Sequence, residues 1–320
     1  MKRVTIKDIA SAANVHPSVV SAVVNGNNKV IHCSEKTKNR ILELVRSMDY
    51  HPNRAARGLV CKESRQIGVL CFSPKDPMMA QLVAEIQKQL FDRGYQAVFG
   101  FWTSHEEACA AFDSVLGYPV DGIICMHDQL WEKIPQCVPV VFYPSKDSRR
   151  CGVILDFRQY FRDALSYLKR LGHKWVSFFS WHSDARLQLF LDELSAARME
   201  TCDGWNLSGT GFYANALELS RKMLTSTERP DALLCRNDIT AFAFINAARE
   251  AGVKVPEDIS VVGMDNLDSA EYFHPPVTSF GKPADQIVKA ILDALFNGAE
   301  PGVQYLRMEL KIRATCCLKK

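Results

Sequence analysis

From about residue 65 onward, short apolar runs alternate with longer segments of helical periodicity. This alternation predicts parallel sheets with helices on both faces, because parallel strands need a crossover connection of roughly a dozen residues or more. The predicted strands are Ile67–Phe72, Tyr95–Phe101, Asp121–Cys125, Val138–Phe142, Trp175–Ser180, Ala232–Leu234 and Ser260–Gly263. The predicted helices cover Met79–Arg93 and lie near 158–171, 185–198, 213–224 and 239–251. Because the pattern forms two successive series, we expect two lobes with doubly wound parallel sheets and a cleft between them.

The amino-terminal segment differs in charge from the rest of the chain. Residues 1–65 contain 12 Lys and Arg against 5 Asp and Glu, whereas the remaining residues contain 27 against 31. A basic head on a mildly acidic body indicates a nucleic-acid-binding module joined to a second domain. A solvated basic face is the alternative explanation of the charge alone.

Three short helices are predicted in this head. The segment TIKD at 5–8 has the spacing of a capping box, and Asn14 suits the tight turn that follows. A second helix begins at Pro17, because proline at the first helical position needs no N–H and has a suitable φ. A third helix is expected from about Glu35 to Asp49, capped by Ser34. Two short helices around a tight turn, supported by a third, form an all-α helix-turn-helix domain.

The second helix has an unusual composition for a helix that reads DNA. It contains neither Arg nor Lys, the residues that most often recognise guanine. Helical spacing predicts a buried side formed by Val20, Val23 and Val24. The opposite face is expected to present Ser18, Ser21, Ala22 and Asn25.

Several classes of protein are excluded by what the sequence lacks. No apolar run reaches the roughly 20 residues of a membrane span, and Lys7 and Asp8 interrupt the segment where a signal peptide would have its apolar core. We therefore expect a cytoplasmic protein without membrane contact. The 11 cysteines have no zinc-like spacing and are expected to be free thiols, with no metal and no cofactor. Hydrolase, metalloprotease, P-loop and dinucleotide-binding motifs are absent, so we predict no catalytic residues and no enzyme.

The run TIKDIASAANV…VVSAVVN, followed by YHPNRAARGLVCKESRQIGV, resembles the signature of the lactose-repressor/galactose-repressor family of bacterial transcription regulators. The resemblance continues through the body and covers nearly the whole chain. It implies a helix-turn-helix domain at 1–51, a hinge helix and linker at 52–64, and an effector-binding and dimerisation core at 65–320 with a periplasmic-binding-protein-like fold. The two lobes of the core are expected at about 65–156 with 284–305, and at about 157–283 with 306–320.

The segment Pro52–Leu59 is similar to the family's hinge helix, which folds when two protomers meet on DNA and places a leucine in the minor groove. Leu59 has that position here. The segment is short for an isolated helix, and Gly58 weakens it by roughly 0.5–1 kcal/mol relative to alanine, so folding on binding is consistent with the sequence. A plain interdomain linker is the alternative.

The resemblance places base contacts chiefly at Pro17, Ser18 and Ala22, of which only Ser18 has a hydrogen-bonding side chain. We therefore predict that Pro17 and Ala22 read thymine methyl groups, and that the step contacted by Leu59 and the deformability of the DNA supply much of the specificity. The complete set of expected DNA-binding residues is Thr5, His16, Pro17, Ser18, Ser21, Ala22, Asn25, Asn53, Ala56 and Leu59.

Polar and aromatic residues follow the predicted strands of both lobes, where ligands bind in doubly wound sheets. The expected effector-binding residues are Phe72, Ser73, Trp102, Tyr143, Trp181, Arg186, Asn237, Asp238 and Asp265. The resemblance assigns Arg186, the pair Asn237-Asp238 and Asp265 to hydrogen bonds with a small polar effector. Two alternatives stay open: Asp238 caps the following helix, and Asp265 stabilises a turn.

Three residues depart from the family pattern. Tyr160 and Phe161 occupy a place where glycine is common, and Leu189 replaces a further glycine. Their bulk is expected to shrink or reshape the cleft. The aromatic strand ends would suit sugars, purines or aromatic acids, and a pocket that no longer binds an effector is an alternative.

The function implied is that of a sequence-specific DNA-binding repressor controlled by a sugar or related polar metabolite between the lobes. We expect a homodimer on a pseudo-palindromic operator. A tetramer is not expected, because no leucine heptads follow the last predicted strand. A cytoplasmic solute-binding protein without DNA function is the alternative class, since the body is similar to periplasmic sugar-binding proteins.

Overall fold

The computed structural model describes residues 4–24, 33–51, 63–72, 75–126, 138–179, 186–202, 213–226 and 228–319. The chain divides into two compact units, Met1–Arg65 and Gln66–Lys320. Within the described residues, no helix is both long enough and apolar enough to cross a bilayer.

The first unit contains three helices: α1 (Ile6–Ala13), α2 (Pro17–Val24) and α3 (Glu35–Ser47). The predicted capping box is confirmed, because the Thr5 hydroxyl accepts a hydrogen bond from the Asp8 backbone while the Asp8 carboxylate accepts one from the Thr5 backbone. Asn14 has the expected left-handed conformation, with φ of 52°. The start of α2 at Pro17 is also confirmed.

The third helix is shorter than predicted. The Ser34 hydroxyl caps it at the amino end as expected. It ends at Ser47 because Asp49, with φ of 49°, has turned into the left-handed region. The core of this unit consists of Ile9, Ala10, Ala13, Val20, Val23, Ile41 and Tyr50.

One face assignment on α2 is wrong. Ala22 was expected to lie outward with Ser18 and Ser21, but it is only 8% exposed. A single methyl group lies close to the helix backbone, and the longer side chains around it therefore shield it. Val24, expected to be buried, is half-buried and packs against the edge of the core.

The second unit alternates strands and helices. Its strands are β1 (Gln66–Phe72), β2 (Gln96–Trp102), β3 (Gly122–Cys125), β4 (Val140–Phe142), β5 (Cys151–Leu155), β6 (Val176–Phe179), β7 (Ala232–Cys235), β8 (Ser260–Met264), β9 (Thr278–Gly281), β10 (Gly302–Leu306) and β11 (Glu309–Lys311). Its helices are α4 (Pro77–Asp92), α5 (His105–Leu116), α6 (Phe157–Arg170), α7 (Arg186–Ala197), α8 (Tyr213–Met223), α9 (Asp238–Glu250), α10 (Asp268–Tyr272) and α11 (Ala284–Phe296).

These strands form two sheets, as the two series in the sequence predict. The first has the order β10-β5-β4-β3-β1-β2 and is parallel throughout. The second has the order β11-β9-β8-β7-β6 and is parallel except for β11, which pairs antiparallel with β9. The doubly wound α/β architecture is therefore confirmed.

The chain passes between the sheets at three places. It leaves the first sheet after β5, returns after β9 through α11 to β10, and crosses again from β10 to β11. We call the part around the first sheet lobe 1 and the part around the second lobe 2. The three connections bring the carboxyl ends of strands in both lobes within reach of one another.

Two of the bulky departures from the family pattern lie in the core. Phe161 is fully buried and packs against Phe178 and Phe190, with ring centroids 5.0 and 5.6 Å away. Leu189 is half-buried against the same cluster. Helix packing between α6 and α7 therefore takes up the bulk of these two side chains, and a smaller or reshaped cleft stays a prediction.

Candidate functional site

The exposed start of α2 is the first candidate site. Ser18 and His16 are exposed, while Pro17 and Ser21 are half-buried. The His16 ring nitrogen Nδ1 lies 2.8 Å from the Ser18 hydroxyl and accepts a hydrogen bond from the Ser18 backbone at 3.3 Å. His16 thus satisfies one of the amide groups that a helix leaves unpaired at its amino end.

Several predicted site residues lie outside the described residues. On the DNA-binding side these are Asn25, Asn53, Ala56 and Leu59, and on the effector side they are Ser73 and Trp181. Thr5 is exposed at the start of α1, where its hydroxyl donates to the Asp8 carboxylate at 2.7 Å.

The second candidate site lies at the carboxyl ends of strands in both lobes. We call it the interlobe cluster, and it consists of Asp76, Tyr143, Tyr160, Arg186, Arg236 and Asp265. Asp265 is its centre, because its charge interacts with those of Asp76, Arg186 and Arg236 and influences the phenols of Tyr143 and Tyr160. Asp76 and Tyr143 belong to lobe 1, whereas Asp265 follows β8 in lobe 2. The cluster therefore joins the two lobes.

Asp265 has a positive φ and a carboxyl group with a raised pKa. Its φ is 97°, and its backbone N–H donates to the Phe280 carbonyl at 2.8 Å. Burial raises the pKa of its carboxyl to about 7, and the charge of Asp76 raises it further, while Arg186 and Arg236 oppose the shift. An aspartate with a positive φ is strained, and contacts with the surrounding structure must stabilise it. Such strained residues are common at functional sites.

Arg186 begins α7, and its guanidinium lies over the Phe157 ring, 5.1 Å from the centroid. One of its nitrogens also contacts the Met264 sulfur at 3.7 Å. Both contacts hold the positive charge near Asp265. The side chain is partly exposed, and the guanidinium group carries several N–H donors that can hydrogen-bond a ligand.

Tyr143 follows β4 and is buried. Burial, and to a lesser degree the charge of Asp265, raises the pKa of its phenol above the usual range. The hydroxyl therefore stays protonated and offers both a donor and an acceptor.

The predicted pair Asn237-Asp238 makes structural hydrogen bonds at the carboxyl edge of the second sheet. The Asn237 side chain caps α9 by accepting hydrogen bonds from the Thr240 backbone and hydroxyl at 2.9 and 2.7 Å. The fully buried Asp238 carboxylate accepts one bond from the Leu267 backbone at 2.7 Å and one from the Ser279 hydroxyl at 2.6 Å. Asn237, not Asp238, is thus the helix cap, and Asp238 anchors the segment that follows Asp265.

Not all of the aromatic residues at the strand ends belong to the interlobe cluster. Trp102 is 4% exposed and packs with Leu70, Phe112 and other core residues of lobe 1, so its ring is part of the core. Phe72, at the end of β1, is 38% exposed. The expectation of an unusually aromatic pocket therefore does not hold for Trp102.

Three members of the interlobe cluster were missed in the set of expected effector-binding residues: Asp76, Tyr160 and Arg236. Asp76 is the cap of α4 and accepts the Met79 N–H at 2.8 Å, and the Asp-Pro pair after the first strand was a signal for it. Tyr160 was noted only for its bulk. Arg236 directly precedes the Asn237-Asp238 pair, and no pattern distinguished it. Within the described part of the chain, no group of His, Cys, Asp and Glu could hold a metal ion.

Comparison with known proteins agrees with this architecture. Residues 5–53 match the family described as "Bacterial regulatory proteins, lacI family", and residues 165–316 match the "Periplasmic binding protein-like domain". The HTH-type transcriptional repressor PurR of Klebsiella pneumoniae (strain 342) is 28% identical over 315 residues that cover 92% of each chain.

Two solved structures are similar over almost the whole length. The lac repressor dimer bound to operator and the anti-inducer ONPF has 26% identity and a TM-score of 0.84, covering 99% of this chain and 100% of that one. The complex of the transcriptional regulator CelR with cellobiose has 25% identity and a TM-score of 0.68, covering 98% and 100%. The chain therefore combines a helix-turn-helix domain of the lacI family of bacterial regulatory proteins with a periplasmic-binding-protein-like core, and its fold is that of the lac repressor.

Proposed function

We propose that this chain is a transcriptional repressor that binds a pseudo-palindromic operator as a homodimer and is controlled by a small neutral effector at the interlobe cluster. The observation that carries the proposal is the meeting of Asp76 and Tyr143 from lobe 1 with Arg186 and Asp265 from lobe 2. An effector that contacts both lobes favours one orientation of the lobes over another, and that difference is the basis of allosteric control. The operator-bound lac repressor dimer supports the dimer and the operator as partners.

The DNA-reading surface is proposed at the start of α2. Pro17 and Ser18 lie at this helix end, and Pro17 offers an apolar ring for a thymine methyl group. Ala22 is removed from the proposed base-reading set because its methyl group is buried. Thr5 and Ser21 are proposed to contact phosphates, His16 is proposed to act by capping α2, and Asn25, Asn53, Ala56 and Leu59 stay predictions from the sequence.

The chemistry of the interlobe cluster favours a polyhydroxylated effector. Two carboxyl groups, Asp76 and Asp265, stand against two guanidinium groups, Arg186 and Arg236, so a neutral ligand fits without a large charge imbalance. Hydroxyl groups can both donate to the carboxylates and accept from the guanidinium groups. The CelR–cellobiose complex supports a sugar as the class. The competing proposal is a regulator that binds no effector, and it was suggested by the bulk of Tyr160 and Phe161 at a place where glycine is common in the family pattern.

A thermal-shift screen tests the effector proposal, since a compound that binds the folded state raises its apparent stability. The panel is cellobiose, D-galactose, D-xylose, adenosine and citrate. We expect a sugar to raise the Tm of the wild type and to lose most of that effect in Arg186→Ala, because a charged hydrogen-bond donor contributes about 1.5–3 kcal/mol. The control is Arg93→Ala, which removes the arginine directly after α4 that pairs with Asp293, and this variant should keep the effect.

DNA selected from a random pool tests the other half of the proposal. The repressor should bind selected sites and lose affinity with salt, with a log–log slope near −0.9 for each phosphate contact. A solute-binding protein would give no specific complex. A panel without any thermal shift, together with specific DNA binding, would support the regulator without an effector.

A further inference from the structure

Tyr160 has a hydroxyl that the fold itself does not use. The residue lies in the first turn of α6, is 1% exposed, and its ring packs against Phe161 and Phe280 with centroids 4.8 and 5.0 Å away. Among the residues that the structure describes, the hydroxyl has no hydrogen-bond partner. A phenylalanine would fill the same space without burying an unpaired polar group, so packing alone does not account for tyrosine here.

The ring of Tyr160 packs against Phe280, whose carbonyl accepts the Asp265 backbone N–H at 2.8 Å, so Tyr160 lies beside the centre of the interlobe cluster. Burial raises the pKa of its phenol, the Cys235 thiol and the carboxyls of Asp238 and Asp265 raise it further, and the Arg186 guanidinium lowers it. Because the phenol stays neutral, it can both donate and accept a hydrogen bond.

The neighbouring groups have other partners. The two oxygens of Asp238 accept hydrogen bonds from Leu267 and Ser279, and Arg186 contacts Phe157 and Met264. Tyr160 is also more deeply buried than Arg186 or Asp265, which are half-exposed. A ligand that reaches the Tyr160 hydroxyl thus extends beyond the two charged groups to the base of the site.

We propose that Tyr160 is a specificity-determining residue of the effector site, whose hydroxyl hydrogen-bonds a hydroxyl or ring oxygen at the deepest end of a neutral, sugar-like effector. The inference rests on the effector function proposed above and goes further, because it names the side chain that selects the buried end. It also explains why this residue is tyrosine, although a phenylalanine ring would fill the same space in the core.

The first test needs no effector. Tyr160→Phe should leave the Tm of the effector-free protein unchanged or raise it, because the variant removes an unpaired buried hydroxyl. Tyr167→Phe is the matched control on the same helix, since the buried Tyr167 hydroxyl has a hydrogen bond with Cys316. That control should lower the Tm. An equal loss of Tm in Tyr160→Phe would show a partner inside the free protein and would overturn the proposal.

The second test uses the sugar of the panel that shifts the wild-type Tm most, measured by isothermal titration calorimetry. Tyr160→Phe should weaken its binding roughly 10- to 100-fold, the usual range for a hydroxyl whose loss leaves a buried polar group unpaired. Among the monodeoxy derivatives of that sugar, one should bind wild type more weakly by a similar factor and show no further loss in Tyr160→Phe.

The outcomes separate this inference from the effector function. Unchanged sugar affinity in Tyr160→Phe, combined with loss of binding in Arg186→Ala, overturns the role of Tyr160 and leaves the effector site standing. If no panel compound binds wild type, the effector proposal fails, and the role of Tyr160 fails with it.

Discussion

At the scale of single residues, two carboxyl groups have their pKa raised at the carboxyl edge of the second sheet. Burial raises the pKa of Asp238 to about 8, with a further contribution from Asp265, whose own pKa is raised to about 7. Gly263 allows this arrangement, since a Cβ at that position would lie 2.1 Å from the Asp238 oxygen Oδ1. Because Gly263 has no side chain, the buried Asp238 carboxyl can pack against it and bind the turn that contains Asp265.

These carboxyls predict how stability depends on pH. Their pKa values are higher in the folded state than the ordinary value near 4, so between about pH 4 and 8 the folded state binds more protons than the unfolded chain. Their contribution to the free energy of unfolding is fully present below about pH 4 and is lost as pH rises through 7 and 8. In Asp265→Asn, urea unfolding across this range should show a smaller decline with pH than in wild type.

A matched variant separates this effect from a general change in charge. Asp113, exposed on α5, gives the control Asp113→Asn, which should keep the wild-type decline. Equal pH profiles for wild type and Asp265→Asn would show that Asp265 ionises in the folded protein as it does in the unfolded chain.

At the scale of elements, the amino end of α2 depends on a histidine. The His16 ring accepts the Ser18 N–H and lies beside the Ser18 hydroxyl, so it takes the part that Ser, Thr, Asp or Asn usually play at a helix start. Pro17 needs no such partner because it has no N–H. The cap and the proline together fix the beginning of the helix proposed to read DNA.

Loss of this cap should weaken operator binding by the full-length protein. In His16→Ala, the free energy of operator binding, measured by fluorescence anisotropy, should become less favourable by about 0.5–2 kcal/mol, which is the usual value of a helix cap. His16→Asn, which restores an acceptor at the same place, should recover part of the loss. Equal losses in the two variants would assign His16 to a direct DNA contact instead of a cap.

The elements also show which features a sequence can predict. The capping box at Thr5, the turn at Asn14 and the start of α2 at Pro17 were correct because each depends on a few neighbouring residues. The outward face of Ala22 was assigned wrongly, and the place of Trp102 in the core of lobe 1 was not foreseen, because exposure depends on side chains contributed by other elements. Helical spacing cannot supply that information.

The candidate site was predictable only in part for a related reason. Arg186 and Asp265 follow recognisable strands or begin helices, and they were found from the sequence. Asp76 joins them from the other lobe, and Arg236 joins them because β7 and β8, which precede Arg236 and Asp265, are neighbouring strands of one sheet. The unpaired hydroxyl of Tyr160 becomes visible only when its surroundings in the fold are known.

At the scale of the whole molecule, the architecture places an effector site where it can influence two lobes. The lobes are joined by the connections after β5, after β9 and between β10 and β11, and the interlobe cluster draws residues from both. A ligand can shift their orientation only by as much as its affinities for the two arrangements differ. The same free energy must then appear in DNA binding and in effector binding.

The most direct test of the account is to measure this coupling from both sides. Operator affinity is determined by fluorescence anisotropy with and without the panel sugar that binds best, and sugar affinity by calorimetry with and without operator. We expect both affinities to change by one common factor of about 5 to 150, and Arg186→Ala to abolish the change while keeping the effector-free operator affinity. Operator affinity that stays constant at saturating sugar would contradict the account.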